Sequence, residues 1–254
     1  FPTLTSSLSA SDAPQSALKF IVPFQGGYDG IAYNVKRNIG KDITDTNLYG
    51  MDLSTATGGG TKAYVKALNT ISNADEYDIN MISIPGVIHS IHPLVTNKAI
   101  LVAEDRGDAF VVIDAVKYNE HTGKNAAENV ASSAVTNLDS NFAATYWPWV
   151  KILDTNTNKP TWVPPGVVLP GVIANTDKVA HEWFAPAGLN RGGLTSVVEA
   201  QTRLTHAERD DLYEERVNPI ASFPGQGVCV WGQKTLQAKP SALDRVNVRR
   251  LLIR

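Results

Sequence analysis

The chain has 254 residues, 43% of them apolar and 19% charged, with a formal net charge of −2. That composition fits a folded chain with a sizeable core, excludes a disordered polyelectrolyte, and argues against a general nucleic-acid binder, which carries a basic excess. Cys229 is the single cysteine, so no intrachain disulfide can form, and no apolar run reaches the roughly 18 residues that span a bilayer.

Residues 1–17 are rich in Ser, Thr and Pro and read as a linker or arm. Residues 19–24 (KFIVPF) read as a short strand ended by the glycine turn at 26–30. A polar stretch then runs to Gly60. Residues 61–71 place Tyr64, Val65, Leu68 and Ile71 at helical spacing. Residues 78–84 (DINMISI) predict a buried strand stopped by Pro85 and Gly86. Residues 93–106 predict a helix with an apolar face of Leu94, Ala99, Leu101 and Val102, ended by Gly107. Residues 109–115 (AFVVIDA) form a continuous apolar strand, and 125–138 read as helical. Residues 142–153 read as a strand broken by Pro148, which suits an edge or a bend.

After Trp162 comes Pro164–Pro165 and an apolar run, in which a helix would kink or break near Pro170. Residues 205–216 (THAERDDLYEER) predict a surface helix with a Thr205–Glu208 capping box. Residues 228–236 predict a strand, and 241–254 a final helix opened by Ser241 with Asp244 in the matching cap position. That last stretch lacks a stop signal and the chain lacks an initial methionine, so both ends are expected to be cut.

Unbroken apolar strands alternating with helices predict an α/β fold: a mixed, largely parallel sheet covered by helices on both faces, with an N-terminal extended arm or linker. The expected division is 1–50 as a segment leading into the core and 51–254 as the core. No basic start followed by an apolar stretch marks a signal peptide.

Catalytic chemistry finds little support. His89 and His92 are three apart but have no HExxH context and no nearby cysteine. Gly58, Gly59 and Gly60 before Thr61–Lys62 are contiguous, unlike a phosphate loop, and a polar segment precedes them. No GxSxG elbow is present. No catalytic, cofactor or metal residue is assigned. An α/β enzyme or nucleotide-binding module is the alternative, on fold analogy alone.

Several blocks occur in one order: LKFIVPFQGGYDG (18–30), NADEYDINMISIPGV (73–87), NFAATYWPWVKILD (141–154), WVPPGVVLPGVIANTD (162–177), WFAPAGLNRGGL (183–194) and RVNPIASFPGQGVCVWGQKTL (216–236), then DRVNVRRLLIR. Together they resemble the tail sheath proteins of large contractile-tail phages, truncated at both ends. The resemblance implies a structural, non-enzymatic subunit without cofactors. It would stack as hexameric rings in a helical array around a tail tube and contract to drive the tube through the host envelope. Other sheath subunits, the tube protein, the baseplate and the tail terminator would be its partners, without nucleic acid or membrane. It would be assembled in the host cytoplasm and reside in the virion. Arg245, Arg249, Arg250 and Arg254 on the last helix, and Glu208, Asp211 and Glu215 on the acidic helix, are the candidate contacts with a neighbour or the tube.

Overall fold

The computed structural model describes residues 52–155 and 158–253. The expected arm, the strand at 19–24, the turn at 26–30 and Arg254 lie outside the described residues. The chain order is α1 (Gly59–Thr70), β1 (Met81–Ile88), α2 (Pro93–Arg106), β2 (Phe110–Asp114), α3 (Ala126–Ser133), β3 (Ala143–Trp147), β4 (Val150–Asp154), β5 (Lys159–Val163), α4 (Pro165–Val179), β6 (Val197–Ala200), α5 (His206–Glu214), β7 (Val217–Phe223), β8 (Gly227–Val230) and α6 (Val246–Leu252).

Five strands form one sheet in the order β1-β2-β3-β7-β8. The first three pairings are parallel and β7–β8 is antiparallel, so the sheet is mixed and largely parallel. β2 is buried at every position, as expected for an apolar strand covered on both faces. Its side chains alternate between two cores. Val111 and Ile113 join α1, α2, α3 and Leu212 of α5, whereas Phe110 and Val112 join Val168, Leu169 and Val172 of α4. A second, three-stranded antiparallel sheet, β5-β4-β6, was not anticipated from the sequence.

Several elements differ from expectation, each for a physical reason. β1 continues past Pro85 and Gly86 to Ile88 through a register shift. Among the described residues it is an edge strand, where a missing Pro N–H breaks no ladder, and Gly86 takes the left-handed φ of 87° at the irregularity. Helix α2 has the predicted bounds, and Gly107 (φ 73°) donates its N–H to Ala103 O as the C-cap. Its buried stripe, however, is Val95, Ala99, Val102 and Ala103, which leaves Leu94 and Leu101 43% and 53% exposed. Helix α3 stops at Ser133, earlier than the expected residue 138. Residues 142–153 split at Pro148 into β3 and β4, which belong to different sheets. β3 is central rather than an edge, and Pro148 follows its last residue, so no ladder bond is lost.

Helix α4 runs unbroken through Pro170. The proline removes the N–H that the Gly166 carbonyl would accept, and the Ser83 hydroxyl of β1 donates to that carbonyl instead at 2.7 Å. β8 ends at Val230, short of Leu236, because the Asn218 side chain takes over the bonding. Its Oδ1 accepts from Lys234 N–H at 2.6 Å, and its Nδ2 donates to Lys234 O at 2.7 Å and Thr145 O at 3.0 Å. The last helix begins at Val246 rather than 241, and the Ser241–Asp244 cap does not form. Residues 244–246 are held extended against 233–235: Thr235 N–H donates to Asp244 O at 3.0 Å, and Val246 N–H to Gln233 O at 2.8 Å.

Candidate functional site

The surface singled out by charge is built on α6 and α5. Helix α6 is too short to be stable alone, so tertiary contacts hold it. Val246 is fully buried in the core on the α4 side of the sheet. Arg250 is 5% exposed and forms a two-pronged pair with Asp177 of α4, at 3.2 Å and 2.5 Å. The Tyr146 hydroxyl of β3 is buried without a hydrogen-bond partner among the described residues. Burial holds that phenol well above its ordinary range, with Arg250 pulling the other way. Asn247 donates from its side chain to the Trp183 carbonyl. Arg250 therefore fastens α6 to the core, and reversing its charge would test that attachment rather than an outward contact.

Arg245 and Arg249 are more accessible. Arg249 donates to Asn141 Oδ1 at 2.9 Å and lies 4.2 Å from the Phe142 ring centre. Arg245 pairs with Asp244 and approaches the Tyr213 ring of α5 at 6.0 Å. Lys234 lies 4.5 Å from the same ring. Its pKa is lowered, by burial first and then by Arg245, while Asp244, Glu214 and Glu215 act in the opposite direction. The acidic helix and the start of the basic helix are thus neighbours within one chain, around a groove of about 250 Å³.

On α5 the predicted capping box is complete. Thr205 donates from its N–H and its hydroxyl to Glu208 Oε2, each at 2.7 Å, and the Glu208 N–H donates back to Thr205 Oγ1 at 3.4 Å. Glu208 therefore serves its own helix. Asp211 and Glu215 point to solvent. Arg209 sits 5.1 Å from the Phe223 ring and 5.5 Å from the Trp231 ring, and Trp231 is 42% exposed.

The carboxyl ends of the parallel strands, where α/β enzymes bind ligands, are occupied by the chain's own groups. His89 Nδ1 lies 2.7 Å from Thr96 Oγ1, and His92 Nδ1 accepts the Ile88 N–H at 3.3 Å. Burial lowers the pKa of both histidines, and both buttress the start of α2. A cavity of about 70 Å³ beside them is too small for a nucleotide. Gly58 carries no phosphate-loop geometry. The N–H of Thr61, inside the helix it opens, is taken by the Asp52 carbonyl at 3.1 Å. Among the described residues no group of three or more His, Cys, Asp or Glu could hold a metal, and no helix is long and apolar enough to cross a membrane.

Two features escaped the sequence reading. One is the Arg250–Asp177–Tyr146 mount, whose ion pair joins positions 73 apart and gives no local signal. The other is Asp114 at the end of β2. Its Oδ1 accepts the Gly166 N–H at 2.8 Å, its Oδ2 makes no hydrogen bond among the described residues, and it is 2% exposed.

Comparison with known proteins gives one consistent answer. Residues 58–236 match the family model described as the phage tail sheath protein central domain. The tail sheath protein of Enterobacteria phage T4 is 36% identical over 129 residues, covering 48% of this chain and 19% of that protein. The tail sheath protein of Vibrio phage KVP40 is 36% identical over 130 residues, 51% of this chain and 18% of that protein. The chain thus spans about a fifth of the length of these curated relatives. The fold is shared with a solved PVC sheath complex of an extracellular contractile injection system in the contracted state. That likeness has a TM-score of 0.57 at 23% identity over 73% of this chain and 48% of that one.

Proposed function

The chain belongs to the phage tail sheath family, and from that premise we propose that it is a structural subunit of a contractile phage tail. It polymerises as stacked hexameric rings around the tail tube and contracts to drive the tube through the host envelope. It catalyses no reaction. Its partners are other sheath subunits, the tube protein, the baseplate and the tail terminator. It is assembled in the host cytoplasm and resides in the virion tail. Residues 51–254 are its core and 1–50 lead into that core.

The observation that carries this reading is the extent of the family match. Residues 58–236 take in α1 and every strand of both sheets, so the whole scaffold is the family's. The physical character of the scaffold agrees. Two cores on opposite faces of one sheet make a stiff body, and a contracting lattice needs stiff bodies that exchange surface contacts. Exposed ion pairs suit that exchange because each is worth about 0–1 kcal/mol.

Arg245, Arg249 and Arg254 on the basic side, and Asp211 and Glu215 on the acidic side, are the proposed contacts with a neighbour or the tube, while Glu208 caps α5. Arg250 contributes by fixing the position of α6. Negative-stain electron microscopy of the full-length protein tests the reading. Tubes or six-fold rings are expected, and persistent monomers at high concentration would refute it.

A further inference from the structure

We infer that the helical layer formed by α1, α2, α3 and α5 is a head-to-tail contact surface. The basic face of α1 on one copy of this chain docks into the acidic groove between α3 and α5 on the next. The inference rests on the self-association proposed above.

The layer carries two grooves of opposite charge, although Asp75, Glu76 and Asp78 follow α1 and Glu104 and Asp105 lie on α2. Helix α1 joins the core through α2, which covers β1 and β2, whereas α5 lies on β7 with α3 packed beside it. The two ends of the layer therefore stand over different parts of the sheet. Helix α1 carries Lys62 and Lys66 one turn apart and no acidic residue. Both lysines are exposed and line a shallow groove of about 410 Å³ with Val65 and Asn69. At the other end, Glu128 of α3 and Asp211, Glu214 and Glu215, on and just after α5, line a groove of about 230 Å³ with Ala131 and Ser132. All four carboxylates are exposed, and none of them is in an ion pair among the described residues. Lys62 and Lys66 have no ion-pair partner there either.

The occupant follows from charge and symmetry. Four exposed carboxylates line one groove, of which Glu214 and Glu215 also feel Lys234, and two lysines one turn apart, without an ion pair among the described residues, stand at the other end of the same layer. A two-fold dimer through either groove would set like charges against each other. A head-to-tail arrangement sets basic against acidic, and repeating that operation produces a ring or a filament. Each exposed pair contributes little and is screened by salt, so the contact is exchangeable.

The test uses the full-length protein with Asn69→Cys and Ser132→Cys, both exposed positions, since native Cys229 is buried. Mild oxidation should give an intermolecular disulfide ladder that fades several-fold between about 0.05 M and about 0.5 M salt. Adding Lys62→Glu and Lys66→Glu should reduce the ladder roughly tenfold, and adding Asp211→Lys and Glu215→Lys to the same chain should restore it. Assembled protein without a ladder, or a ladder indifferent to the reversals, overturns this contact and leaves the sheath reading standing. A charge-dependent ladder without tubes or rings supports the contact and overturns the sheath polymer. Absence of both overturns both.

Discussion

Asp114→Asn should stabilise the protein more as pH rises. The carboxyl lies at the end of β2, 2% exposed, against the start of α4. Backbone N–H groups of Gly166 and Gly86 favour its charge, but burial dominates and pushes its pKa from 3.8 to about 7. A carboxyl raised on folding is stabilising while protonated. Its contribution is fully present below about 3.8, declines as pH rises, and is lost above about 7. At about 1.36 kcal/mol per tenfold change in proton affinity, that rise corresponds to roughly 4 kcal/mol. Asparagine keeps an oxygen for the Gly166 N–H and never ionises, so its contribution does not change with pH. Urea denaturation of both proteins from pH 4.5 to pH 8 reads the difference between them, in which the contributions of other titrating groups cancel. The difference should move in favour of Asp114→Asn by a few kcal/mol across that range. A difference that stays flat would show that Asp114 is not held in the manner described.

Ser83→Ala should cost about 1–3 kcal/mol in urea denaturation, because the Gly166 carbonyl would lose its donor above Pro170, at a site already short of one helical bond. Thr205→Ala should cost about 1 kcal/mol by removing the cap of α5, with thermal melts as the check. Arg250→Met should cost about 2–4 kcal/mol. That is below the cost for a fully buried pair, because the Asp177 side chain is 23% exposed. It should also raise amide exchange in α6 ahead of the rest of the chain.

The parts of the fold that could be read from the sequence are those whose causes are local. The unbroken apolar run of β2, the glycine stop of α2 and the reciprocal Thr205–Glu208 cap each lie within a few residues. Misreadings arose where a distant partner decides. Pro170 is tolerated because Ser83, far away in the chain, supplies the missing donor. Ser241 opens no helix because Asp244 and Arg245 are drawn into pairing with Thr235 and Lys234. Leu94 and Leu101 looked like core because periodicity gives the width of an apolar stripe more readily than its phase. The charged surface was legible as a set of residues, but not its division of labour. Arg250 is turned inward to Asp177 and Glu208 is bound to its own cap, whereas Asp211 and Glu215 remain outside.

A helical reconstruction by cryo-electron microscopy of the full-length protein tests the sheath assignment most directly. Stacked six-subunit rings are expected, with residues 52–155 and 158–253 fitting as one body into every subunit and α1 facing the α3–α5 groove of a neighbour. Particles that remain monomeric, or a closed dimer with two-fold symmetry, would contradict it.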